Sequence, residues 1–294
     1  MTIDLTARQS GSSTTVAASV RRLPLTRVAH RAGGHAIMIL LSVMCVFPLY
    51  WMLASSLRPA NEIFETTLWP SHASLESYRV ALDAIPIVQM LLNTLIVSVA
   101  VTVIQCFTGL LAAYGFVRWQ FRGNKFVFGL FALTWLVPFQ VVMIPNYLLV
   151  AKLGLLDSLS ALILPHFASA FAIMMLAQAM RAFPREVLEA ARIDGAGSWR
   201  VLWEIVTPSL RGTLASLAIL VFISTWNEYF WPLLLSRTAE NSVIQIGIQM
   251  FMTSEGTLWG PLMAASTMAS LPVLAIYLVL QRQVVQSFMK SGIR

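Results

Sequence analysis

One acidic side chain stands inside the long apolar stretches of this chain: Glu228, in the run Trp226-Asn227-Glu228-Tyr229-Phe230-Trp231-Pro232. A carboxylate in hydrocarbon is costly and marks a place where a polar solute is handled. Trp226, Asn227, Glu228 and Tyr229 are therefore candidates for lining a path. The aromatic density and Pro232 equally fit a membrane interface, where the same residues would only fix a helix end. Other chemistry is sparse. No G-x-x-x-x-G-K-[ST] phosphate loop occurs, so the chain has no visible means of hydrolysing ATP. His30, His35, His72 and His166 show no metal-ligand spacing, and neither G-x-S-x-G nor H-E-x-x-H is present. His166, after Pro165 inside a span, could line a polar cavity but reads rather as a donor to a neighbouring helix. Cys45 and Cys106 read as small packing residues, not a disulfide or a metal site.

The second cluster is a polar island, EAARIDGAGSWRVLWEIVTP, from Glu189 to Pro208. It carries Glu189, Arg192, Asp194, Arg200 and Glu204, and such a run must project into water. Its signals describe two short helices around a corner. Pro184 suits a first helical turn, Glu186 sits at the positive end of the helix dipole, Gly195 stops the helix, and Ser198 caps the next. Segment 184–208 is a helix–turn–helix knob shaped for docking a soluble partner.

Composition defines what must hold these groups. The chain is 57% hydrophobic and 11% charged, far too apolar for a soluble domain. Six stretches are long enough to span: Gly34–Ser56, Ile87–Phe116, Phe126–Val150, Ser158–Met180, Gly212–Leu235 and Leu262–Gln281. The expected fold is all-α and integral to the membrane, with six transmembrane helices. All but four of the 20 basic residues precede the first span, follow the last, or lie in the second and fourth connections. The exceptions are Arg58, Arg79, Lys152 and Arg237. The positive-inside rule thus places both termini and the knob in the cytoplasm. It also accounts for the net charge of +7 without nucleic acid.

Residues 1–33 read as a flexible basic cytoplasmic tail, and 284–294 as a cytoplasmic C-terminal tail. The first span reads as an anchor, being too long for a signal peptide. The outer connection 57–86 is a small acidic loop, and Ala151 to Asp157 is a tight turn. Ser236 to Pro261 is longer and holds Glu240, Asn241, Glu255 and Gly256. A loop of that length is either a docking surface or a plain linker.

Glu189-Ala190-Ala191 with Asp194-Gly195-Ala196 and Pro208 resembles the EAA signature of permease subunits in bacterial ATP-binding-cassette importers. The closer resemblance is to the smaller permease of the carbohydrate-uptake branch, including the maltose and glycerol-3-phosphate systems. Phe47-Pro48-Leu49, Asn93-Thr94, the run from Pro145 to Pro165, Trp226-Asn227-Glu228, Trp231-Pro232-Leu233-Leu234 and Gln281-Arg282 support it, so the likeness covers residues 34–294.

The resemblance implies a type I importer transmembrane domain over 87–283, in the bacterial cytoplasmic membrane, binding no cofactor itself. It implies a second permease as heterodimer partner, two ATPase subunits that hold the ATP and Mg, and an extracytoplasmic solute-binding protein. Glu189, Ala190, Ala191, Arg192, Asp194 and Gly195 would form the coupling helix in an ATPase cleft. Glu240, Asn241, Glu255 and Gly256 would meet the binding protein. The cargo would be a sugar or sugar-like solute, with glycerol-3-phosphate or a glycerophosphodiester as alternative. A secondary carrier would show more intramembrane charge and an internal repeat.

Overall fold

The structure is a computed structural model that describes residues 25–119, 121–254 and 256–292, excluding the side chains of 25–32, Arg185, Arg192 and 280–292. Helix α1 (Leu25–Ser56) is followed by a short 3-10 turn, α2 (Glu76–Ala84) and α3 (Ile87–Arg118). Next come α4 (Asn124–Trp135), α5 (Phe139–Lys152), α6 (Leu159–Ile163) and α7 (Ala170–Arg181). The knob holds α8 (Arg185–Ile193), α9 (Ser198–Arg200), a π segment (Val201–Val206) and α10 (Thr207–Ser209). The chain closes with α11 (Arg211–Trp226), α12 (Phe230–Leu235), α13 (Ile244–Gln249), a two-stranded hairpin and α14 (Trp259–Gly292). In the hairpin, β1 (Met252–Thr253) pairs antiparallel with β2 (Gly256–Thr257).

Residues up to Tyr50 form one unit and residues from Trp51 a second. In the first, Ile37, Leu40, Met44 and Phe47 are all exposed, a surface that only lipid or another apolar face would suit. The second unit is built around α3, whose 32 residues carry no Pro and no charge before Arg118. It packs against α7 and α11, and α14 packs against α2, α11 and α13. Val97, Val101, Leu110, Leu176 and Leu217 form the centre of the core. Gly109 lets α3 and α7 approach, because a Cβ there would lie 3.1 Å from the Ala172 Cβ.

Among the described residues, three helices are long and apolar enough to cross a membrane, over Gly33–Ser56, α3 and Trp259–Val279. Counting each bent helix pair as one span brings the total to six. Two of the bends correct expected straight spans, and each stands at a proline; the third, of 76°, lies between α10 and α11, ahead of the fifth span. The third span breaks by 95° between α4 and α5, at Pro138, which donates no N–H and pushes Val137 out of helical geometry. The fourth bends by 45° after Pro165, and Ser169 restarts it by accepting the Ala172 N–H at 3.3 Å. The fifth ends at Trp226 instead of Leu235, with α12 beyond a break at 227–229.

The N-terminal end is corrected as well: the backbone is already helical from Leu25, inside the expected flexible tail 1–33. At the other end α14 runs on to Gly292, into the expected tail 284–294. The connection 57–86 is organised around a buried cation. Arg58 is 0% exposed, lies over the Trp51 ring at 5.1 Å, and donates to the carbonyls of Glu65 and Thr67. Ser56 and Tyr78 share a hydroxyl hydrogen bond of 2.8 Å beside it.

Candidate functional site

Of the four path candidates, Glu228 lines a small cavity. Thr94, Val97, Leu162, His166, Thr225, Trp231, Pro232 and Val243 complete its walls. Its volume is about 10 Å³, room for a single water. The Glu228 carboxylate also accepts the Trp231 N–H at 3.3 Å and so caps the start of α12. Trp226 is buried and stacks on Phe222, with centroids 5.5 Å apart. Asn227 donates to the Ile223 carbonyl at 2.8 Å, closing α11. Tyr229 packs edge-on to Phe230. These three therefore shape the helix break and leave the wall to Glu228. His166, whose less favoured reading was a place in a polar cavity, shares that wall and stacks on Phe139 at 5.6 Å.

The knob forms as its residues direct. Gly195 has φ +74, and the Ala196 N–H reaches the Ala191 carbonyl at 2.9 Å, which is the Schellman closure of α8. Nothing crowds Gly195, so its requirement is backbone handedness alone. One expectation is corrected: Ser198 is the first residue of α9 and Gly197 precedes it as N-cap, with no side-chain cap. The Ser198 carbonyl accepts from the Tyr114 hydroxyl at 2.9 Å, which pins the corner to α3. Past it, Pro208 has no N–H to offer the Glu204 carbonyl, and the Thr207 hydroxyl binds the Leu202 carbonyl at 2.8 Å as the helix widens to π.

The outward and inward faces of the knob are distinct. Glu189, Ala190, Asp194 and Gly195 are exposed, while Ala191 is buried in this chain's own core. Close approach by a partner at this turn therefore falls to Ala190. Arg192 lies on α8, and its side chain is outside the described residues. Ile193 at 87% exposure and Trp199 at 64% also point outward. Apolar residues in so polar a run are the signal that would have found them in the sequence. Arg200 pairs with Glu204 at 2.8 Å along the same surface.

The connection 236–261 is no simple loop. Ser242, Val243, Ile244, Ile246 and Phe251 are buried, and α13 packs on α3 and α14. The Asn93 amide donates to the carbonyls of Glu240 at 2.7 Å and Ser242 at 2.9 Å, and the Thr94 hydroxyl accepts the Ile244 N–H at 2.9 Å. Glu240 and Asn241 stay exposed ahead of this buried stretch. Gly256 lies in the exposed hairpin, and Glu255 is outside the described residues. The other edge is held by Asp157, which sequence reasoning passed over. Its carboxylate accepts from the Arg237 N–H at 2.8 Å, the Thr238 N–H at 3.1 Å, the Thr238 hydroxyl at 2.9 Å and the Asn241 amide at 3.3 Å. The Arg237 N–H in particular, with the Thr238 and Asn241 donors, holds this carboxyl below its ordinary range, at about 2.

Residues 105–290 match the family described as binding-protein-dependent transport system inner membrane component. The chain is 33% identical over 267 residues to the sn-glycerol-3-phosphate transport system permease protein UgpE of Yersinia enterocolitica, covering 87% of this chain and 95% of that protein. It is 28% identical over 257 residues to the lactose transport system permease protein LacG of Rhizobium radiobacter, covering 87% and 94%. Among solved structures it superposes on a chain of a bacterial ABC transporter involved in the import of the acidic polysaccharide alginate, with a TM-score of 0.76 at 22% identity, covering 88% of this chain and 98% of that one. A chain of the bacterial alginate ABC transporter in complex with an alginate pentasaccharide-bound periplasmic protein superposes at 0.65 and 15% identity, covering 87% and 95%. At these identities the likeness is one of fold.

Proposed function

Because this chain belongs to the family of binding-protein-dependent transport system inner membrane components, we propose that it forms half of the translocation path of an ATP-driven importer for a sugar or sugar-like solute. A second permease would supply the other half in a bacterial cytoplasmic membrane. Two ATPase subunits would bind the knob from the cytoplasm, and a solute-binding protein would dock on the opposite side. The observation that carries this reading is the outward face of the knob. Ile193 and Trp199 are exposed within the same polar run as Glu189 and Asp194, apolar side chains that a docking partner would cover.

Two experiments test it. Single cysteines at positions 192 and 240, treated with an impermeant reagent, should label after lysis only and in intact cells, respectively. The opposite pattern overturns the orientation. Affinity purification of the chain from its native membrane should retain an ATPase subunit, whereas the pure chain should hydrolyse no ATP. Solute uptake by the chain alone would replace the importer with a carrier.

The similarity to UgpE favours glycerol-3-phosphate as a second reading of the cargo. Identifying the solute that co-purifies with the cognate binding protein decides between them.

A further inference from the structure

We propose that Asp157 is a positioning residue that holds residues 237–241 as a rigid edge for the solute-binding protein. The proposal rests on the reading that the 236–261 connection docks that protein. Asp157 sits in the short turn between α5 and α6, remote in sequence from the segment it holds. Four donors from Arg237, Thr238 and Asn241 converge on its two oxygens. Its own N–H returns a bond of 3.1 Å to the Leu235 carbonyl at the end of α12. The backbone conformation suits this role, with φ at +58, in the left-handed region that Asp and Asn enter more readily than other side chains. The next residue fixes the turn from behind. The Ser158 hydroxyl donates to the Leu155 carbonyl at 2.6 Å and accepts the Ala161 N–H that starts α6.

The held segment has two ends and two clamps. Asp157 grips residues 237, 238 and 241, while Asn93 grips the carbonyls of Glu240 and Ser242. Between them Glu240 and Asn241 are exposed. Asn93 belongs to α3, and Asp157 opens the fourth span. A protein resting on residues 240 and 241 therefore touches backbone tied directly to two spans that meet in the core. Ordering the segment in advance removes an entropy cost that binding would otherwise carry.

Asp157→Gly deletes the carboxylate and keeps the left-handed backbone. Asp157→Asn also keeps the backbone and one acceptor oxygen, but turns an amide donor toward the Asn241 amide. The full transporter, reconstituted in proteoliposomes, is titrated with its cognate solute-loaded binding protein while ATP hydrolysis is followed. We expect Asp157→Gly to raise the half-saturating concentration by roughly tenfold, and Asp157→Asn by a smaller factor, with the maximal rate kept. Glu240→Lys, which leaves the clamp intact, tests the docking reading by itself and should also raise the half-saturating concentration. If Glu240→Lys does so and both Asp157 variants leave it unchanged, whatever their maximal rates, Asp157 is only structural and the proposal falls. If Glu240→Lys has no effect, the docking reading falls and takes the proposal with it. Should the Gly variant fail to assemble, the Asn variant decides.

Discussion

The knob at 184–208 and the connection at 236–261 are held by opposite means. In the knob, backbone bonds and one left-handed glycine shape a short helix pair, pinned to the core by Ala191 and the Tyr114 hydroxyl, and its recognition groups stand clear of the protein. In the connection, buried apolar residues sink α13 between α3 and α14, and side chains from distant elements seize its carbonyls and amides. The first surface is local, and the second exists only because residues far apart in the chain meet. A local surface is broken by one backbone change within it, whereas a surface tied to the core is broken from outside its own sequence.

The largest effect is expected from Gly195→Val. A β-branched residue at φ +74 costs about 1–2 kcal/mol of local backbone strain, enough to open the corner. Transport and ATPase association should be lost in pull-downs while the chain still inserts. Full association in that variant would show that the corner is not what a partner reads.

Asn93→Leu should come next. It strips the Glu240 and Ser242 carbonyls of their amide donors, at a cost of roughly 1–3 kcal/mol where these groups stay buried, as Ser242 is. Unfolding in mixed micelles should report the loss, and a cysteine at 240 should label faster, while ATPase retention is unchanged. Loss of both functions together would erase the division between the two surfaces.

A pH series should do less. The carboxyl of Asp157 titrates at about 2 in the folded chain against an ordinary 3.8, so its clamp is fully present above that range and fails only as pH falls through it toward 2. Labelling at position 240, taken relative to a free thiol at the same pH, should be flat from about pH 8 to about pH 5; a step near pH 6 would assign control of the segment to another group. Smallest of all, Glu204→Gln removes the exposed pair with Arg200, which solvent screening leaves with little effect on stability. A transport defect from that change would mean that a partner, not the fold, uses Glu204.

Much of this was legible in the chain itself. Span positions follow from runs of apolar residues long enough to cross a bilayer, and the knob follows from Gly195 and the polar run around it, because both signals act within a few residues. The chain determined by itself that α3 runs unbroken and that a corner forms at 195, since these depend on missing charges and a missing Cβ; that the third span breaks at Pro138, while Pro145 stays inside α5, did not follow from its sequence. Only the tertiary structure decided that Ala191 turns inward while Ile193 and Trp199 turn out, and that Glu228 shares a wall with His166. The same holds for Asp157, which reaches Arg237, Thr238 and Asn241. The periodicity of one segment cannot report which distant segment will face it. That choice belongs to the packing of α3, α7 and α11, and the hydrogen bonds that matter most here run across it.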